Sequence, residues 1–131
     1  MKRALHVLVV DDEPGIVRVL GAVLEDAGYA VNSANNGRVA LELLESAPHH
    51  VVLLDYVMPQ LDGCETLRAI RESPKFSAVP VIMMSGVAES IVRRRCRGAY
   101  EAFLRKPFGL DELLGAVRAA GRSTPKRSRK R

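Results

Sequence analysis

Asp55 ends the apolar run Val51-Val52-Leu53-Leu54, and an acidic pair, Asp11-Asp12, ends another, Val7-Leu8-Val9-Val10. Lys106 follows the run 102–104 and Ser85 follows the run 79–84. Three carboxylates, an ammonium and a hydroxyl are the parts needed to hold a divalent cation beside a phosphoryl group. Adjacent carboxylates repel each other, and a hard cation relieves that repulsion. Magnesium takes carboxylate and water oxygens and keeps several of its waters. Asp11, Asp12 and Asp55 offer such oxygens, and the backbone carbonyl of Val57 is a further candidate ligand. A carboxylate is also a competent nucleophile for forming an acyl phosphate. Phosphoryl transfer asks mainly for positioning and for charge neutralisation on three oxygens. Mg2+ would cover one of them, Lys106 a second and the Ser85 hydroxyl a third.

Each residue taken singly has a plainer reading. Asp11, Asp12 and Glu13 before Pro14 suit the positive end of a helix dipole. Ser85 suits a polar strand end, and Lys106 a surface lysine before a proline. All of them together, each at the end of an apolar run, favour a phosphorylatable Asp55.

The elements that must position these groups follow from periodicity. Five short, partly β-branched runs cover residues 4–10, 29–34, 51–54, 79–84 and 102–104. Between them lie helical stripes. Ile16, Val19, Leu20, Val23, Leu24 and Ala27 form one, after Pro14 and closed by Gly28. Val39, Ala40, Leu43, Leu44 and Ala47 form a second, and Leu67 and Ile70 a third after Gly63. Ile91, Val92 and Cys96 form a fourth before Gly98, and Leu110, Leu113, Leu114 and Val117 a fifth. Alternating strands and helices predict an α/β fold, a doubly wound parallel sheet with helices on both faces. A barrel needs about eight such units. In open sheets of this kind ligands bind beyond the carboxyl ends of the strands, which is where Asp11, Asp55, Ser85 and Lys106 fall.

A chain of 131 residues, 47% of them hydrophobic, is long enough for one domain with its own core. The net charge of +5 is concentrated at one end. Arg122, Lys126, Arg127, Arg129, Lys130 and Arg131 are six of the 20 basic residues. The other 14 face 15 acidic ones, so the rest of the chain has a net charge of −1. Residues 1–121 are therefore expected to form the domain, and 122–131 a basic, disordered tail. The apolar stretches are too short for a signal peptide or a membrane span, which points to a cytoplasmic protein. Cys64 and Cys96 are distant and lack metal-ligand spacing, so they are expected to be small buried hydrophobes in a reducing compartment.

The sequence resembles the receiver domains of two-component response regulators. The similarity is carried by Val9-Val10-Asp11-Asp12-Glu13, by Leu53-Leu54-Asp55-Tyr56-Val57-Met58-Pro59 and by Leu61-Asp62-Gly63. It continues through Pro80-Val81-Ile82-Met83-Met84-Ser85-Gly86, Gly98-Ala99 and Phe103-Leu104-Arg105-Lys106-Pro107-Phe108. The resemblance implies a flavodoxin-like sheet of strand order 2-1-3-4-5. It implies that Asp55 takes a phosphoryl group from a phosphohistidine on a sensor histidine kinase or histidine phosphotransfer protein. Asp12 would bind Mg2+ directly and Asp11 largely through water. Lys106 would pair with the phosphate, and the bond before Pro107 would be cis. Ser85 would then move towards the phosphate and Phe103 would change rotamer, a two-state switch driven by a local charge change. The fourth helix, fifth strand and fifth helix would contact a downstream protein or a second, phosphorylated copy.

The chain departs from the family in four places. Ser85 and Lys106 are 21 positions apart, one fewer than is usual, so the stretch around the fourth helix is short. That helix carries Arg93, Arg94, Arg95 and Arg97, a solvated basic face or one suited to an acidic partner or a salt-bridged dimer. Phe103 stands where tyrosine is commoner, and Tyr100 is expected to be a surface aromatic. Val57 and Val87 offer nothing that orients a water, which predicts slow self-dephosphorylation. His6 is expected to be structural, and His49 and His50 to be unremarkable loop residues.

Other readings have less support. A haloacid-dehalogenase type of hydrolase needs a second acid two residues after the nucleophile, where this chain has Val57. A dinucleotide site needs a glycine-rich turn after the first strand. The basic tail could contact nucleic acid without sequence preference, yet no zinc site or stacking aromatics accompany it. The expected protein is a stand-alone receiver rather than an enzyme acting on a separate substrate. A phosphorelay intermediate, a phosphate sink or a piece of a longer chain are alternatives.

Overall fold

A computed structural model describes residues 4–129, with side-chain burial through residue 122. Strands β1 (His6–Val10), β2 (Ala30–Ala34), β3 (Val51–Asp55), β4 (Val81–Ser85) and β5 (Ala102–Arg105) form one sheet. Helices α1 (Pro14–Asp26), α2 (Gly37–Ser46), α3 (Gly63–Glu72), α4 (Glu89–Cys96) and α5 (Leu110–Arg129) alternate with them. All four strand pairings are parallel, and the order is β2-β1-β3-β4-β5, as the resemblance implies. Helix α5 runs into the stretch set apart above as a tail. The side chains beyond 122 lie outside the described residues, so the boundary at 121 rests on composition.

Successive strand residues point to opposite faces, and both faces are covered. Leu8, Val10, Val52, Leu54, Val81 and Met83 pack with Ala40 and Leu44 of α2, Leu67 and Ile70 of α3 and Val92 of α4. Val7, Val9, Val51, Leu53, Ile82 and Met84 pack with Leu20 and Leu24 of α1 and Leu113 and Val117 of α5. This two-sided burial is why β3 and β4 read as unbroken apolar runs.

Helix starts are set locally. Pro14 opens α1, and the Asn36 carboxamide accepts the Val39 N–H at 2.9 Å to begin α2. Asp62 and Glu65 form a reciprocal capping box on α3, with bonds of 2.9 and 2.8 Å. Gly63 has a different task. A Cβ there would lie 2.6 Å from the Asp55 carbonyl oxygen and 2.7 Å from Tyr56 Cα, so α3 starts directly on the end of β3.

The structure corrects several expectations. Val19 is 56% exposed, because at about 100° per residue it lies a quarter-turn or more from the stripe centred on Leu20 and Leu24. Ile91 and Leu110, also placed on buried stripes, face solvent. Tyr100 is buried rather than a surface aromatic. Its ring meets Phe103 at 6.1 Å, and its hydroxyl donates to Glu89 at 3.3 Å. Cys64 and Cys96 are joined in a disulfide, because the start of α3 and the end of α4 bring their Cα atoms to 5.0 Å. His49 is buried, with Nε2 3.0 Å from Asn32 Nδ2 and Nδ1 3.0 Å from the Ala47 carbonyl, while His50 Nδ1 accepts the His6 N–H. Burial holds both rings below the ordinary histidine pKa.

Candidate functional site at the carboxyl edge of the sheet

The parallel register carries four dispersed polar residues to one rim. Val10 pairs with Leu54, Asp55 with Met84 and Ser85 with Arg105. Asp11 therefore leaves β1 beside Asp55, and Lys106 leaves β5 beside Ser85. Backbone bonds fix these exits: the Asp11 N–H donates to Ala34 O at 3.1 Å and the Lys106 N–H to Ser85 O at 2.8 Å. The Tyr56 N–H donates to Met84 O at 2.9 Å, which holds the turn after Asp55 against β4.

Asp11, Asp12 and Asp55 bring carboxylate oxygens within 4.8 Å of one another. Asp11 and Asp55 are buried, whereas Asp12 is exposed. The Lys106 ammonium lies 3.1 Å from both Asp11 Oδ2 and Asp55 Oδ1. Asp11 Oδ1 also accepts the Glu13 N–H at 3.0 Å. Three carboxylates against one ammonium leave an excess of negative charge at this rim. Burial, followed by the charge of Asp11, pushes the Asp55 carboxyl up to about 6, against the opposing pull of Lys106. Burial works against the Lys106 charge, but its contacts with Asp11 and Asp55 outweigh this and raise its pKa. An all-oxygen, over-negative cluster fits a small hard divalent cation.

The remaining expected residues surround this centre. Ser85 is buried, and its Oγ accepts the Val87 N–H at 2.8 Å. The Lys106–Pro107 peptide is cis, as expected. Val57 is 63% exposed beside the cluster. Phe103 is half-buried and lies opposite Met83, two residues before the position that pairs with Ser85. Two contacts had no legible signal. Gly63 abuts the end of β3, and Arg95 of α4 reaches Asp62 at 2.7 Å and Tyr56 Oη at 3.5 Å. Both depend on contacts between separate elements.

The basic face of α4 is partly neutralised. Arg93 pairs with Glu89 at 2.6 Å and lies over the Tyr100 ring, and Arg95 pairs with Asp62. Among the described residues no helix is long and apolar enough to cross a membrane.

Residues 7–118 match the family model for the response regulator receiver domain. The response regulator Rre1 of Synechocystis is 37% identical over 122 residues, which cover 90% of this chain and 52% of that protein. The chain spans about half the length of most of the curated relatives it matches. Among solved structures, the receiver domain of a sensor histidine kinase from Pseudomonas aeruginosa superposes with a TM-score of 0.85 at 30% identity. The match covers 92% of this chain and 100% of that one, which has a magnesium ion coordinated in its active-site cleft. The response regulator TrrA of Thermotoga maritima, in complex with Mg2+-BeF, gives a TM-score of 0.80 at 31% identity, over 88% of this chain and 98% of that one.

Proposed function

The chain belongs to the response regulator receiver domain family, and from that premise we propose that Asp55 is its phosphoacceptor, loaded from a phosphohistidine on a partner protein. The observation that carries this reading is the Lys106 ammonium, 3.1 Å from both Asp55 and Asp11 at the rim where three carboxylates converge.

In the transfer, an Asp55 carboxylate oxygen attacks phosphorus as the P–N bond of the phosphohistidine breaks, and the imidazole leaves with the electron pair. Lys106, already at Asp55, meets the incoming phosphoryl oxygens as a point charge. Ser85 gives up its bond from the Val87 N–H and turns its hydroxyl to another phosphoryl oxygen. Asp12, Asp55, the Val57 carbonyl and, through water, Asp11 would hold Mg2+. When bound, that cation neutralises developing charge on the phosphoryl group. The two solved relatives described above hold magnesium, one of them together with BeF, which supports the assignment.

Phosphorylation shifts the local charge, and the movement of Ser85 opens space towards which the Phe103 ring turns. The output is contact between the α4–β5–α5 face and a downstream protein or a second phosphorylated copy. This is a phosphoacceptor role in the cytoplasm, with autocatalytic loading and loss of phosphate.

The deciding experiment is intact mass after incubation with acetyl phosphate and Mg2+, for the wild type and Asp55→Asn. A gain of one phosphate that requires Mg2+ and disappears in the variant is expected. An unmodified wild type that is shown to be folded, and that also takes no phosphate from a phosphorylated histidine kinase, would overturn the reading.

A further inference from the structure

Helix α4 is thinly anchored. Of its eight residues only Val92 and Cys96 are buried, and its last turn carries Arg93, Arg94 and Arg95. Its first turn is held through Glu89, which accepts bonds from Tyr100 and Arg93. Its last turn is held by the Cys96–Cys64 bond and the Arg95–Asp62 pair. Directly after Cys96 the chain reverses through two left-handed residues, Arg97 at φ 57° and Gly98 at φ 62°. A short, charged helix with two buried side chains is the kind of element that opens locally at low cost. Here one of those two side chains is half of a disulfide.

The other half sits on rigid ground. Cys64 is the second residue of α3, behind a complete capping box, and its neighbour Gly63 packs on the Asp55–Tyr56 backbone. The bond therefore ties a weakly held helix to the firm end of β3. A reduced Cys64 would lie in the first turn of α3, where the helix dipole favours a thiolate. The fold does not depend on the bridge for its core, since apolar clusters cover both faces of the sheet.

We propose that Cys64 and Cys96 form a reversible dithiol–disulfide couple, a redox modification site whose oxidised state locks α4 onto α3 and whose reduced state frees the end of α4. In reduction, a thiolate of an external dithiol attacks one sulfur and displaces the other, which takes up a proton. The second external thiol then breaks the mixed disulfide. The protein gains two electrons and two protons, and the external dithiol becomes a disulfide. In oxidation by hydrogen peroxide, the Cys64 thiolate attacks oxygen, the O–O bond breaks, a sulfenic acid forms and the departing hydroxide takes up a proton to become water. Cys96 then displaces a second water and closes the bridge. The couple works whether or not Asp55 carries phosphate, so it stands apart from the reading of that site.

The test uses the full chain treated with dilute hydrogen peroxide, then probed with iodoacetamide and amide hydrogen exchange before and after dithiothreitol. Expected are no alkylation before reduction and two alkylated cysteines after it. Exchange across α4 should accelerate by on the order of tenfold on reduction, with β1 and β3 protection and far-UV circular dichroism retained. Cys64→Ser and Cys96→Ser, each tested alone, should show the α4 exchange of the reduced wild type with or without peroxide. Alkylation of the peroxide-treated wild type would overturn the pairing. Unchanged α4 exchange on reduction would overturn the lock. Loss of protection throughout the chain would make the bridge a structural staple, and would also overturn the proposal.

Discussion

Lys106 Nζ stands 3.1 Å from Asp55 Oδ1 and at the same distance from Asp11 Oδ2, so one ammonium serves two buried carboxylates, one ending β3 and one just past β1. Lys106→Ala leaves those carboxylates facing each other. The metal-free protein should lose about 1–3 kcal/mol at neutral pH, the range for leaving a buried group without its hydrogen-bond partner. Urea unfolding in chelator measures this, and saturating Mg2+ should recover part of the loss. An unchanged midpoint would mean that the ammonium does not hold the cluster together.

Asp55 sets a pH dependence of its own. Its carboxyl titrates at about 6 in the folded, metal-free protein, against 3.8 as its ordinary value. Between those values the folded chain keeps a proton that the unfolded chain has released, so this group's contribution to stability falls as pH rises through the window. Above it the full cost of an ionised, crowded Asp55 is present. Asp55→Asn should therefore gain on the wild type as pH climbs from about 4 to about 7 in chelator, then level off. A flat difference between the two unfolding series would contradict the raised pKa.

Val57 is 63% exposed and has no group that can orient a water at Asp55. Given an acyl phosphate there, Val57→Asn should shorten its lifetime by on the order of tenfold, less than the roughly hundredfold or more of a fully positioned general base. Val57→Ala should leave it nearly unchanged. A wild-type lifetime of only seconds, the same in Val57→Ala, would count against slow self-dephosphorylation.

Gly63→Ala puts a methyl 2.6 Å from the Asp55 carbonyl oxygen, a backbone neighbour that cannot rotate away. The expected cost is about 1–3 kcal/mol of stability from overpacking, with displaced Asp55 signals in a backbone NMR spectrum. Gly115→Ala in α5 is the control. Nothing lies within 4 Å of its added Cβ, so helix propensity should stabilise it by about 0.5–1 kcal/mol.

Arg71 ties four segments together away from the site. It donates to the Ala99, Ser77 and Val79 carbonyls and to Glu101 Oε1 at 2.7–3.0 Å, and Glu101 Oε1 in turn accepts the Val81 N–H. Arg71→Ala should cost about 3 kcal/mol, as when one partner of a partly buried pair is removed. Arg71→Lys should recover little, because an ammonium cannot reproduce the planar fork. Thermal unfolding of both variants checks this.

The sequence showed most of the site because its chemistry is local to strand ends. Asp11-Asp12, Asp55, Ser85 and Lys106 each close an apolar run, and a parallel sheet has only one carboxyl edge at which to gather them. Two-sided burial also makes β3 and β4 visible as unbroken apolar stretches. Helix faces were less legible at their margins. Val19, Ile91 and Leu110 are apolar yet exposed, and periodicity alone does not mark where a buried stripe stops.

Residue order along the chain thus determined the alternation of elements, the edge where the polar groups collect and the residue types available for phosphoryl chemistry. Tertiary structure alone decided that Lys106 bridges Asp11 and Asp55, that Gly63 abuts β3, that Tyr100 is buried on Phe103 and that Cys64 meets Cys96. The reason is physical. Strand and helix patterns are set by neighbours a few positions away, whereas these contacts join side chains on elements whose separation is fixed only after the sheet has closed and the helices have packed upon it.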